Sequence, residues 1–415
     1  MKKKIICFVN TNESLTRIAL QRKELFDEFL KSFGEIYILN LINLKIFTKK
    51  KFFNHVYEEK NLDNRIKIVN FITIKSFLDF AKQKKLIIII NGLSKSPSEF
   101  LIYYLFKKIN ASLIMIFDQG AIGTPIFYKT KLKYFLKSFP HFYQKGFYYI
   151  WRILTIINFF PKIELLLESN KNYIEAFQNG LSRKFEKKFP FFRISLYRKI
   201  LRINNNTYDN YLKYKDKTQQ SENQYIVYAD TPIDHFDRVS SEGKVTEDTI
   251  SAYYQNTSDY LNQLSLIFDK KVLVTIHPNK IKEIEKYMVI FEKNKNITIT
   301  KKRTIDVIFD AEVFVANSSG AIMHAIILNK KIISFHSKYL GEKFTEIQEG
   351  YNKALNLLSI NIDESEPLES KFTLNEKMNK SLKNYEKFIN ERMKYKDGIK
   401  STEQVAQIIK KEFFI

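Results

Sequence analysis

The chain has 415 residues, 45% hydrophobic and 27% charged, with 36 Phe, 24 Tyr, one Cys and a formal net charge of +23. That length suits two to three domains with a sizeable core, and the balance of apolar and charged residues excludes wholesale disorder. A single cysteine, Cys7, excludes an internal disulfide framework and fits a reducing compartment, so a cytoplasmic setting is expected.

The N-terminus "MKKKIICFVNTNES" starts positive, but its apolar run is about five residues and no small-residue cleavage site follows, which argues against a signal peptide. Apolar runs and helical periodicities then alternate as in βαβ units. Strands are predicted at 4–10, 35–41, 65–71, 86–92, 112–118 and 163–169, with helices such as 15–33 and 97–109 between them. The loop "INGLSKS" (90–96) offers polar groups to an acceptor pocket. "MIFDQGAIGTP" ends a strand at Asp118 and continues with Gln119 and Gly120. A carboxylate at a strand end can act as general base where its surroundings lift its pKa toward working pH. The same spelling also makes an ordinary turn.

Charge is concentrated in the first half. Residues 1–200 hold 36 basic against 15 acidic side chains, and residues 201–415 hold 32 against 30. No acidic residue lies between Asp118 and Glu164, while Lys129, Lys131, Lys133, Lys137, Lys145, Arg152 and Lys162 alternate with aromatics. "GFYYIWRILTIINFF" (146–160) is shorter than the ~20 residues that span a bilayer and is interrupted by Arg152, so it reads as an interfacial or core helix. The basic aromatic segment 127–162 is expected to face an anionic membrane surface. Lys, Asn, Ile and Phe are abundant throughout, so part of the excess is compositional background.

Residues 203–223 are polar and without clear period, and are expected to form a linker. A second alternating series follows, with strands at 224–230, 270–277, 296–300, 312–318 and 330–336 and helices near 247–268, 280–293, 303–310 and 319–329. Amphipathic helices at 374–395 and 402–412 close the chain. The expected fold class is therefore α/β, two facing Rossmann-like domains (1–202 and 224–373) followed by C-terminal helices (374–415). Ligands in such sheets bind outside the carboxyl ends of the strands.

Three motifs of the second half sit at such ends. "VANSSG" places Asn317, Ser318, Ser319 and Gly320 between a strand and a helix expected to begin at Ser319 or Gly320. Free N–H groups, the helix dipole and two hydroxyls there suit a phosphate, and glycine permits close approach; a plain N-cap uses the same residues. "VLVTIHPNK" presents His277 with Pro278 fixing the turn. "VYADTPIDHFDR" presents Asp230, Asp234, His235 and Asp237, whose spacing matches no standard zinc or EF-hand site and reads as substrate contact or hinge.

Taken together, "FDQG", "IHP" and "NSSG" resemble the motif set of bacterial GT-B glycosyltransferases that use CMP-activated sugars, the sialyltransferase families and their relatives acting on pseudaminic acid or Kdo. The resemblance implies that His277 assists departure of cytidine monophosphate, that Ser318 and Ser319 hold its phosphate, and that Asp118 takes the acceptor proton. Those families carry two acidic residues before the glycine and use the second as base; Gln119 stands there in this chain, which leaves open whether Asp118 or another acid serves. No cofactor or metal is implied beyond the CMP-sugar donor. The implied partners are a glycan or glycolipid acceptor and the anionic inner face of the cytoplasmic membrane, with nucleic acid disfavoured because no zinc spacing, RNP-like run or helix-turn-helix pattern appears. Three other readings stay open: a CDP-glycerol or CDP-ribitol transferase of teichoic-acid type, use of a UDP-sugar, and a non-catalytic basic membrane-surface or nucleic-acid-binding protein.

Overall fold

A computed structural model of the chain describes residues 2–11, 22–44, 63–91, 97–118, 150–151, 153–178, 196–218, 224–234, 239, 243–277, 289–291, 293–364 and 366–415. These form two compact units that divide after Asn206, with residues 395–415 belonging to the first.

In the first unit the order is β1 (Lys3–Asn10), α1 (Lys23–Phe33), β2 (Ile36–Asn40), β3 (Ile66–Asn70), α2 (Ile74–Lys82), β4 (Lys84–Ile89), α3 (Phe100–Lys108), β5 (Ser112–Phe117), β6 (Ile163–Glu168), α4 (Lys171–Gln178) and β7 (Tyr197–Arg202). The seven strands form one parallel sheet in the order β3-β2-β1-β4-β5-β6-β7. Strand stretches buried on both faces must be apolar, and LIII of β4 (86–89) and LLL of β6 (165–167) meet that demand. Helix α1 buries Leu25, Phe26, Phe29 and Leu30 and stops at Gly34, whose φ of 80° lets its N–H turn back to the carbonyl of Leu30.

The second unit begins with α5 (Asn206–Thr218), where the sequence reading expects a linker. The stretch is polar on one side only, because Tyr208 enters the core while Asn204 and Asn205 before it are buried. There follow β8 (Tyr225–Ala229), α6 (Glu247–Phe268), β9 (Lys271–Thr275), β10 (Ile297–Thr300), α7 (Thr304–Val307), β11 (Ala311–Ala316), α8 (Ile322–Ile327), β12 (Lys331–His336), α9 (Glu342–Leu355), β13 (Leu358–Asn361), α10 (Lys371–Leu382) and α11 (Tyr385–Arg392). Its six strands are parallel in the order β10-β9-β8-β11-β12-β13. Both sheets thus have the doubly wound Rossmann strand order, in which the winding reverses beside the first strand. The reversal lies between β1 and β4 in one sheet and between β8 and β11 in the other.

The helix expected over 374–395 is two helices. Asn384 donates to the carbonyl of Leu355 at 2.9 Å, pinning the chain where α10 gives way to α11. The last helix, α12 (Ser401–Phe413), belongs to the first unit and packs Val405, Ala406 and Ile409 on the layer formed by α1. Asn204 ties it down: its amide donates to the carbonyls of Lys396 and Ile399 and accepts from the N–H groups of Tyr395 and Lys396. No described helix is long and apolar enough to cross a membrane.

Candidate functional site

Reversal of winding leaves a gap at the carboxyl edge of the second sheet, because the loops leaving β8 and β11 run to opposite faces. Asn317, one residue past β11, fills that gap from below. Its Nδ2 donates to the carbonyl of Thr231, in the loop after β8, at 3.0 Å and to the hydroxyl of Tyr253 on α6 at 2.7 Å. Because the Thr231 carbonyl can only accept, the amide has one orientation. Tyr228 donates to Asp230 Oδ1 at 3.3 Å and Tyr254 to Oδ2 at 3.0 Å, so the Tyr253 proton is left for the Tyr228 oxygen, 3.3 Å away. Burial first, and the neighbouring Asp230 carboxylate with it, holds Tyr228 and Tyr253 well above the ordinary phenol range, so both remain donors.

This chain of bonds has two consequences. The Asp230 carboxylate, expected to meet substrate, is buried with each oxygen accepting a tyrosine hydroxyl, so it orders the floor of the site instead. Asn317 is held with Oδ1 unpartnered, and the adjacent Ser318 Oγ is likewise buried without a hydrogen bond. Leaving a buried polar atom unsatisfied costs on the order of 1–3 kcal/mol, so two neighbouring ones at a winding reversal mark a place built for something else.

Ser319 and Gly320 differ from expectation. The helix begins at Ile322, not at 319 or 320, because Ile322, Met323 and His324 donate to the carbonyls of Ser319, Gly320 and Ala321 in a tighter three-residue pattern. Ser319 Oγ accepts from the N–H of Ala321 at 3.2 Å, a capping contact within the turn. A Cβ at Gly320 would meet nothing within 4 Å, and its backbone lies outside the left-handed region, so the fold itself does not require glycine there. On α8, His324 has a buried, unpartnered Nδ1, and burial, with Arg303 beside it, pushes its pKa down to about 4.

His277 is half-buried, two residues past β9. With β8 between β9 and β11, it and the Asn317 turn lie two strand spacings apart along one edge, roughly 10 Å at ~4.8 Å per spacing. Asp234 stands partly exposed in the turn after β8. Gln119, Gly120, His235 and Pro278 lie outside the described residues, as does the basic aromatic segment up to residue 149.

The first unit carries the predicted carboxylate. Asp118, just past β5, is 6% exposed, and Arg22 Nη1 lies 3.2 Å from both its oxygens. Its neighbour across the sheet is Glu168, the last residue of β6, 4% exposed and accepting from the Asn170 N–H at 2.9 Å. Burial lifts Glu168 to about pH 7; the Asn170 and Ser169 amides oppose the rise and Asp118 adds to it. Sequence reasoning passed over this residue, although "IELLLES" closes a strand with an acid just as "MIFD" does. Asn91, in the loop expected to serve the acceptor, instead accepts from the Ile116 N–H at 2.9 Å and donates to its carbonyl, extending the ladder past β4. Among the described residues no group of three or more His, Cys, Asp or Glu could hold a metal ion.

No protein-family model matches the chain, and no curated protein does. Solved structures do. The UDP-GlcNAc 2-epimerase from Neisseria meningitidis bound to UDP-GlcNAc aligns over 99% of this chain and 100% of its own, at 11% identity and a TM-score of 0.50. The UDP-GlcNAc 2-epimerase from Methanocaldococcus jannaschii covers 98% and 99%, at 13% identity and 0.49, and Acinetobacter baumannii MurG covers 99% of each chain, at 8% identity and 0.46. At such identities the likeness is one of fold, and the fold is the two-domain GT-B plan of consecutive Rossmann-like sheets.

Proposed function

We propose that this chain is a GT-B glycosyltransferase that takes a sugar from a pyrimidine-nucleotide donor and passes it to a bacterial surface glycan or glycolipid. The observation that carries the reading is the pair of orphaned buried atoms, Asn317 Oδ1 and Ser318 Oγ, at the winding reversal of the second sheet. Oδ1 needs a donor such as a ribose or sugar hydroxyl; the serine hydroxyl donates to a phosphate oxygen. One nucleotide sugar supplies both. His277 stands within a phosphate-to-sugar span of that pair and, as imidazolium, offsets charge on the departing phosphate. On the acceptor side, Arg22 pairs with both oxygens of Asp118 at 3.2 Å, and Glu168, lifted to about pH 7, is the acid whose proton affinity suits a general base at neutral pH.

The motif set "IHP" and "NSSG" favours a CMP-activated nonulosonic acid or Kdo as donor. A UDP-sugar is the second reading, favoured by the UDP-GlcNAc held in the Neisseria structure of like fold. A thermal-shift series with CMP, CDP, UDP and GDP separates them: stabilisation by CMP supports the first, by UDP the second, and no shift with any of the four removes both. Release of the nucleoside monophosphate or diphosphate in the presence of acceptor then tests transfer, with unchanged turnover in His277→Ala excluding the role given to that residue.

A further inference from the structure

The amino edge of the first sheet carries a surface for which the transfer reaction has no use. The helical residues 150–151 and 153–156 turn Trp151 and Thr155 into the core, where Trp151 meets Tyr103 edge-on at 5.6 Å. The opposite positions, spaced three and four apart, are Ile150, Ile153 and Ile157, and these are 49%, 43% and 64% exposed. Phe159 continues the stripe and packs 5.3 Å from Tyr104 of α3, both side chains again more than a third exposed. Exposed apolar side chains gathered in one stripe, rather than scattered singly, mark an interaction site.

Cations border it. A cavity of about 270 Å³ is lined by Ile156 and Asn158, which flank Ile157, and by Lys107, Lys162, Arg198 and Glu164. Glu164 pairs with Arg198 at 3.0 Å, and the lining keeps two positive charges in excess. The sequence adds no acidic residue from 119 to 163. The cavity sits where β5, β6 and β7 begin, opposite the edge that bears Asp118 and Glu168.

We propose that this face docks on an anionic phospholipid bilayer, with the isoleucine stripe and the Tyr104 and Phe159 rings entering the interface while Lys107, Lys162 and Arg198 receive lipid phosphates. Charge selects this occupant. A second copy of the chain meeting the face across a twofold axis would set the cation clusters against each other. An anionic leaflet satisfies the apolar stripe and the cations at once, and aromatic side chains are enriched at that depth. The surface stands whatever sugar is transferred, so its failure and the failure of the enzymatic reading are separable.

The test is co-sedimentation of the full chain with vesicles containing phosphatidylglycerol and with vesicles of phosphatidylcholine alone. Binding is expected on the first, about tenfold or more weaker on the second, and reduced by added salt. The triple variant Ile150→Ser, Ile153→Ser, Ile157→Ser is expected to lose about tenfold in vesicle affinity with its nucleotide thermal shift retained, since all three side chains already face water. Lys107→Gln with Lys162→Gln, which leaves the apolar stripe intact, is expected to lose the preference for anionic vesicles. Undiminished binding by either variant overturns the proposal, as does failure of the parent chain to sediment with anionic vesicles. A dimer that the triple variant converts to monomer while vesicle binding persists overturns it as well.

Discussion

The carboxyl edges of the two sheets face the same geometric problem, a gap where the winding reverses, and fill it differently. In the first sheet most of the described polar groups near that edge are engaged within the protein, with the buried Ser169 Oγ an exception: Thr11 donates to buried Glu99 at 3.0 Å, Asn91 clasps the Ile116 backbone, and Arg22 lies on Asp118. In the second, a network running from Asp230 through three tyrosines to Asn317 ends in two atoms with no partner. An edge whose polar groups are mostly satisfied suits positioning of a proton acceptor, whereas an edge where two adjacent buried atoms stop one bond short is preorganised for a ligand. The contrast rests on internal bonds that substitution can cut one at a time.

The largest effect is expected from Asn317→Ala. It removes both bonds of the amide, taking its donor from the Thr231 carbonyl and one of its partners from the Tyr253 hydroxyl in a buried place, so unfolding free energy in urea should fall by about 3–4 kcal/mol. A loss under about 1 kcal/mol would mean the network does not hold the site.

Next comes Glu168→Gln, which tests the first edge. Because the folded state raises this carboxyl from 4.5 to about 7, the native protein binds the proton more tightly than the unfolded chain between those values. Stability is therefore lost as pH rises from about 4.5 to about 7, reaching up to about 3 kcal/mol. The glutamine variant cannot ionise, so its stability relative to the parent should rise over that interval and level off above it, while the two should differ little in pH response below 4. A parent whose stability increases through pH 5 to 7 relative to the variant would show that the acid is not lifted.

How much of this was legible in the sequence follows from what periodicity reports. Core strands such as β4 and β6 are continuous aliphatic runs, and α6 matches its expected span of 247–268 because Thr246 caps one end and Asp269, at φ 53°, closes the other. The edge strands β7, YRKILR, and β13, LSIN, were missed because a strand with one free side keeps polar residues and loses the apolar signal. The turn at 317–320 was readable as a strand-to-helix corner from residue types at a strand end. What was not readable is the division of labour within it. Asp230 looked like a ligand group and is a floor beam, and Glu168 looked like the end of a strand and is the lifted acid. Those roles depend on surroundings assembled from far away in sequence, the Tyr254 hydroxyl for one and burial within the sheet for the other, and no local pattern encodes them.

A smaller effect separates the two serines. Ser319→Ala should cost about 0.5–1 kcal/mol, the usual loss for a capping hydroxyl, with nucleotide affinity little changed, since its oxygen accepts from Ala321 within the turn.

Ser318→Ala should leave stability within about 0.5 kcal/mol of the parent or raise it, because the hydroxyl it deletes is buried and bonded to nothing in the protein. The same change should weaken nucleotide binding about tenfold or more, since a hydrogen bond from a buried hydroxyl to a charged phosphate is worth about 1.5–3 kcal/mol. Stability and affinity therefore move apart at residue 318, whereas at residue 319 only stability moves. If calorimetry found Ser318→Ala less stable than the parent with affinity intact, the orphaned oxygen would be a packing feature of the turn, and the two edges would not differ in the way that assigns the ligand to the second.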